Sequence, residues 1–116
     1  MTIALANVTF DCDNAAGLAE FYAQLMDTTV DPGASEFFAT VGKAAGATPL
    51  LMFIKVGDKN PGKNVVHLDF ASAQSLDYIE RAISLGAKHI ADFDEYGMQW
   101  TTLADPEGNL FDVGKA

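Results

Sequence analysis

The chain has 116 residues, 49% of them hydrophobic and 20% charged, a balance that fits a packed globule and excludes a disordered or fibrous chain. That length suits one domain able to bury a core without disulfides or a structural metal. The formal net charge of −9 repels phosphate backbones and anionic lipid, so nucleic-acid and membrane-surface roles are set aside.

The acidity is read first as a source of solubility, with a cationic ligand as the weaker alternative. Cys12 is the only cysteine, which rules out an internal disulfide, and its place in an apolar strand marks a small buried hydrophobe. No apolar run approaches the roughly 18 residues that a membrane span needs, and Met1 to Val8 lacks a basic leader. A cytoplasmic location is the expectation.

In chain order, Ile3 to Cys12 is the first expected strand, with Val8, Phe10 and Cys12 on one face and Asn7, Thr9 and Asp11 on the other. Asp13 or Asn14 then caps a helix running to about Met26, whose apolar stripe is Leu18, Phe21, Tyr22 and Leu25. Asp31-Pro32-Gly33 is turn chemistry, and strands are expected at about Glu36 to Gly42 and Pro49 to Val56. Gly57 to Lys63 has no apolar periodicity and serves as a connection.

The pattern then restarts. Val65 to Ala71 is a strand with Val66, Leu68 and Phe70 on one face and His67, Asp69 and Ala71 on the other. A second helix is expected from about Gln74 to Leu85, with Leu76, Ile79 and Ala82 or Ile83 as its stripe and Gly86 as its stop. Strands follow at Lys88 to Asp92, Gln99 to Ala104 and Leu110 to Val113, the last two joined by a hairpin turn over Asp105-Pro106-Glu107-Gly108-Asn109.

Sliding one half over the other by about 60 residues sets Asn7 over His67, Leu25 over Leu85 and, with a small loop adjustment, Phe38 near Trp100. Two copies at this period are too few for a solenoid, so the expected class is α+β: two tandem βαβββ modules, about 1–57 and 63–116, in a single domain. Their sheets would form an incomplete barrel around a cleft lined by the polar strand faces.

Leu18-Ala19-Glu20-Phe21-Tyr22 with Leu25, the later His67-Leu68-Asp69 and the terminal Asp105-Pro106-Glu107-Gly108-Asn109-Leu110-Phe111-Asp112 resemble motifs of the vicinal oxygen chelate superfamily. That superfamily comprises glyoxalases, bleomycin-resistance proteins and extradiol dioxygenases, and the likeness is greatest to its short glyoxalase-like members. The resemblance implies paired βαβββ modules, a metal or ligand in the cavity, and a homodimer. It also implies metal ligands at the positions matched by Asn7, Ile54, His67 and Asp112, of which only His67 and Asp112 are good donors.

His67 and Asp112 are therefore the expected catalytic or metal-binding pair, with Asp69 as an accessory acid. Asp112 alternates with Phe111 and Val113, and its carboxylate needs a partner, for which a metal, His67, Lys55, a basic ligand and water are all admitted. Asn7, Thr9, Phe38, Tyr96 and Trp100 are expected to line a small-molecule site. His89 is read as a polar residue at a strand start, and Asp11 as an exposed edge residue.

Two readings stand level. One is a small-molecule binding or sequestering protein of the resistance kind that works without metal. The other is a lyase, isomerase or dioxygenase with a divalent metal at His67 and Asp112. A non-catalytic dimeric interaction domain is the third, and the cofactor expected is none, with a divalent metal as the alternative.

Overall fold

The computed structural model describes residues 1–59, 62 and 64–116 and divides the chain into two units, Met1–Lys59 and Asn60–Ala116. The connection expected at Gly57 to Lys63 includes Asn60, Pro61 and Lys63, which lie outside the described residues.

In the first unit, strand β1 (Asn7–Cys12) begins later than the apolar alternation predicts. Among the described residues it pairs with the parallel strand β3 (Leu50–Lys55), and the ladder opens at Asn7 opposite Leu50, whose amide donates to the Ala6 carbonyl at 2.9 Å, so residues before Ala6 lie beyond the start of β3. Helix α1 (Ala15–Leu25) starts where Asn14 Oδ1 accepts from the Gly17 amide at 3.2 Å, while Asp13 pairs with Lys59 at 3.6 Å. Two more first-turn amides, those of Ala15 and Ala16, donate to the carbonyls of Glu36 and Ser35, each at 2.9 Å.

Leu18, Phe21, Tyr22 and Leu25 are buried as the spacing predicts, and Ala15, Ala19 and Ala23 join them. The helix packs on β3 and on β2 (Phe38–Val41), which lies antiparallel to β3 and completes the order β1-β3-β2. Phe10 stacks on Phe53 with ring centroids 5.0 Å apart and meets Tyr22 at 5.2 Å, which forms the aromatic centre of this core. Cys12 is fully buried, as expected.

The remaining strand of this module is reduced to a single bridge, Val30 opposite Val41. Beside it, Asp31, only 8% exposed, accepts from the Thr40 hydroxyl (2.7 Å) and from the amides of Lys43 (2.9 Å) and Ala44 (3.0 Å). Burial works against ionising this carboxyl, but the Ala44, Thr40 and Lys43 donors outweigh it and hold the pKa below the ordinary aspartate value. The residue read as turn chemistry is thus a clamp between two loops.

The second unit contains β4 (Leu68–Ser72), α2 (Ser75–Ser84), β5 (Lys88–Glu95), β6 (Met98–Ala104) and β7 (Leu110–Lys115), with strand order β4-β7-β6-β5. Strand β7 is central, parallel to β4 and antiparallel to β6. Phe111, Leu103 and Val113 fill the core face, and Phe70 meets Phe111 edge-on at 5.9 Å. Val65 and Val66, expected inside the strand, precede β4 and are 92% and 75% exposed.

The stripe expected on α2 is displaced. Ala82 is buried and Ile79 half-buried, but Leu76 and Ile83 face solvent, because the helix rests on β4 and β7 through Tyr78, Ile79, Ala82 and Leu85. It stops at Gly86 (φ 111°), as predicted. The Asp105–Asn109 hairpin forms too: the buried Asp105 carboxylate accepts from the amides of Glu107 and Asn109, and Gly108 has a φ of 89°.

Both units share one plan, strand, helix, then strands in the order first-last-middle, with the single bridge at Val30 standing where β5 stands in the second. The mixed α+β class and the paired βαβββ modules are therefore present. In the first unit Thr9 lies opposite Met52, and in the second Asp69 lies opposite Asp112, so one offset of 60 residues relates both strands. The first-module counterpart of Asp112 is thus Met52, not Ile54 as the motif match implied. Ile54 corresponds to Gly114, and Phe38, which pairs with Ile54, corresponds to Trp100, which pairs with Gly114.

Candidate ligand and metal site on the second sheet

Strand alternation and register bring three polar side chains into one row. Asp69 on β4 lies opposite Asp112 on β7, which lies opposite Thr102 on β6, so all three share a face. Phe111 and Val113 turn to the buried face, which leaves Asp112 on the open one. His67 immediately precedes β4 and keeps the alternation of Asp69 and Ala71.

The His67 Nε2 atom lies 3.4 Å from Asp69 Oδ1 and 3.4 Å from Asp112 Oδ2. Both distances exceed those of a tight charge-assisted bond, so the imidazole sits between two carboxylates without being locked to either. The second oxygen of Asp112, Oδ1, accepts from the Thr102 hydroxyl at 2.5 Å. Asp112 is the sheltered member, its side chain 16% exposed, against 49% for His67 and 72% for Asp69.

One ligand atom from each of His67, Asp69 and Asp112 lies within 4.8 Å of the others. One imidazole and two carboxylates match the donor set and number that catalytic divalent-metal sites draw from protein, with the remaining positions left to water or substrate. The first unit adds nothing comparable: Asn7 uses its amide to donate to Thr9 Oγ1 at 3.3 Å, and Met52 carries a thioether. Lys55, admitted as a partner for Asp112, instead contacts Glu36 at 3.4 Å and lies over the Phe37 ring.

One ladder step along the same face, Trp100 stacks on Phe93 with centroids 5.1 Å apart and planes 13° from parallel. Trp100 thus stands beside the polar row. Tyr96 occupies the β5–β6 hairpin turn, beyond the Glu95–Met98 pair, and is 89% exposed. Asn7, Thr9 and Phe38 lie on the open face of the first unit's sheet, together with Asp11, Met52 and Ile54.

Two features of the second unit were missed from sequence. Thr102 was legible, since counting outward from the Ala104–Leu110 pair that closes the Asp105–Asn109 turn sets it opposite Asp112. The second is His89, whose ring meets Asp92 Oδ1 at 2.9 Å while the Thr101 hydroxyl donates to the same oxygen at 2.8 Å. An irregularity at Ile90 turns His89 and Asp92 to one side, and the His89 contact, then Thr101, holds the Asp92 carboxyl below its ordinary pKa.

An open cleft of about 640 Å³ also lies in this unit, between α2 and the β5–β6 hairpin. Leu76, Ile79, Asp92, Asp94 and Thr101 are among its walls, and none of His67, Asp69, Asp112 or Thr102 is. This cleft does not include the convergent polar groups, although Phe93 and Trp100 also line it.

Comparison with solved structures returns the same architecture. A glyoxalase/bleomycin resistance protein/dioxygenase family enzyme from Burkholderia phytofirmans aligns over 97% of this chain and 98% of its own, with a TM-score of 0.79 at 19% identity. A fosfomycin resistance protein from Listeria monocytogenes aligns over 100% and 95%, with a TM-score of 0.76 at 16% identity. Lactoylglutathione lyase from Agrobacterium tumefaciens aligns over 100% and 96%, with a TM-score of 0.67 at 13% identity. At these identities the likeness is one of fold. No curated protein matches the chain significantly in sequence. The sequence pattern of the glyoxalase-like domain, however, matches residues 7–114, and with the duplicated modules this establishes that the chain belongs to the glyoxalase-like domain family of the vicinal oxygen chelate superfamily.

Proposed function

We propose that the chain is a small-molecule-binding protein of the sequestering or resistance kind, whose ligand docks on the open face of the second sheet. The observation that carries this reading is the convergence of His67, Asp69 and Asp112 beside Trp100. Polar groups that fix orientation next to an aromatic wall are what a small-molecule site combines. The fosfomycin resistance protein from Listeria monocytogenes shares this fold, which is compatible with a resistance role and does not by itself favour sequestration over catalysis.

Asp69 favours a second reading. It supplies a third donor to the two that the motif match gave, which brings the set to the usual count for a catalytic metal. His67, Asp69 and Asp112 would hold a divalent ion, which would supply Lewis acidity to a substrate oxygen. The Thr102 hydroxyl, by donating to Asp112 Oδ1, would orient that carboxylate and leave Oδ2 on the His67 side. Lactoylglutathione lyase supports this lyase-type alternative, again by fold alone.

Calorimetric titration with manganese, iron, cobalt, nickel and zinc separates the two. Stoichiometric binding that His67→Ala abolishes supports the metal enzyme; no binding of any of the five retires it. A thermal-shift screen against cationic antibiotics and small 2-oxo compounds then tests the binding protein, because a ligand selective for the native state raises the melting point. No shift with any compound sinks the sequestering proposal and leaves the non-catalytic interaction domain.

A further inference from the structure

Gly114 occupies a position where neither backbone nor packing demands a glycine. It lies inside the central strand β7, paired with Ala71 on one side and Trp100 on the other. Its φ lies outside the left-handed region, unlike that of seven other glycines of the chain. A Cβ built there would meet the Gln99 carbonyl oxygen at 3.5 Å, Trp100 Cβ at 3.6 Å and the Phe70 carbonyl oxygen at 4.0 Å, all ordinary contacts.

A glycine inside a strand weakens it and leaves nothing to pack, so its presence needs a reason. The duplicated module shows what the fold accepts at this point. The first unit puts Ile54 there, flanked by Phe38 where the second unit has Trp100. The second unit has no side chain at this point but has an aromatic neighbour as well. The vacant spot adjoins Trp100 and lies two residues from Asp112, on the same face.

We infer that Gly114 is a specificity-determining residue that keeps the strand surface beside Trp100 open for a flat ring of the ligand, with the ligand's donor group on Asp112 and Asp69. This deepens the proposed function and rests on its reading of this face as the ligand site. The class of ligand is a planar aromatic or conjugated ring bearing an adjacent cationic or hydrogen-bond-donating head. The ring lies flat on bare backbone against the indole, and the head meets the carboxylates at hydrogen-bonding distance.

The test uses the whole chain, its Gly114→Ala and Gly114→Val variants, and two probes, benzamidine and guanidinium, the second being a cationic head without a ring. Trp100 is the sole tryptophan, so intrinsic fluorescence reports from the site itself. Both variants melt at or above the wild type, by up to about 5 °C, since each replaces a strand glycine. A lower melting point for both would show that the glycine is structural and overturn the inference.

Benzamidine gives a saturable fluorescence change with the wild type, and Gly114→Val weakens it roughly tenfold or more, the cost of filling a ring-sized space. Guanidinium binds both proteins equally weakly. Equal benzamidine affinity in wild type and Gly114→Val overturns the role of Gly114, while loss of binding in Asp112→Asn would still uphold the site. No response of the wild type to benzamidine, with metal or another ligand bound in the earlier titrations, overturns the ligand class alone. Silence in every titration overturns the site reading as well.

Discussion

Replacing Asp31 by alanine removes the acceptor for three hydrogen bonds, from Thr40 Oγ1 and from the amides of Lys43 and Ala44. Hydrogen bonds to a charged group contribute about 1.5–3 kcal/mol each. Simple addition overstates the loss, because Lys43 and Ala44 are exposed and water can reach their amides in the variant. Thr40 is buried and its hydroxyl loses its partner outright. The expected destabilisation is therefore about 2–4 kcal/mol, read as a fall in melting temperature of roughly 10 °C.

Asp31→Asn keeps the shape and one acceptor oxygen, so it should fall between wild type and alanine. The sign of the pH dependence follows from the depressed folded pKa. The carboxylate's stabilisation is complete above the unfolded value of about 3.9 and fades as pH drops through the lower folded value, so the gap between Asp31→Ala and wild type closes on acidification. Urea unfolding followed by far-ultraviolet circular dichroism at neutral and acid pH measures both effects. A gap under about 0.5 kcal/mol at neutral pH, the range of an ordinary surface change, or one that widens in acid, refutes the clamp.

Tyr96 and Gly97 form the two-residue β5–β6 turn with φ of 55° and 75°, a conformation that suits asparagine and glycine but not tyrosine. Tyr96→Asn should stabilise the chain by about 1 kcal/mol, and a lower melting point would show that the exposed ring makes contacts of its own. The homodimer proposed from the family resemblance is checked by light scattering, which should return twice the monomer mass; a monomer at high concentration ends that proposal.

Much of this was legible because each signal was local. Asn14 precedes an apolar stripe, Asp105 to Asn109 carries a turn at fixed spacing, and His67, Asp69 and Asp112 alternate with residues that pack inward. The offset of 60 residues was visible too, but reliance on a motif match placed the Asp112 counterpart at Ile54, where the same offset gives Met52. What escaped depended on pairing partners far away in sequence. Alternation extends back to Ile3, yet β1 ends where β3 does. The composition of α2 permits two rotations about its axis, and only the strands beneath it select the one that turns Leu76 outward. Asp31 looks like any turn aspartate until Thr40 and Lys43 are brought to it.

The irregularity at Ile90 separates the two ends of β5 in phase. Because one surplus residue absorbs the mismatch, the entry of the strand from Gly86 follows one side-chain rhythm and the stretch from Ala91 to Glu95 follows another. Mutational drift in the connection after α2 can therefore be taken up before Ala91, and the Phe93–Trp100 stack keeps its partner. A chain lacking Ile90 would couple the two, so that every change near the helix end is felt at the aromatic pair.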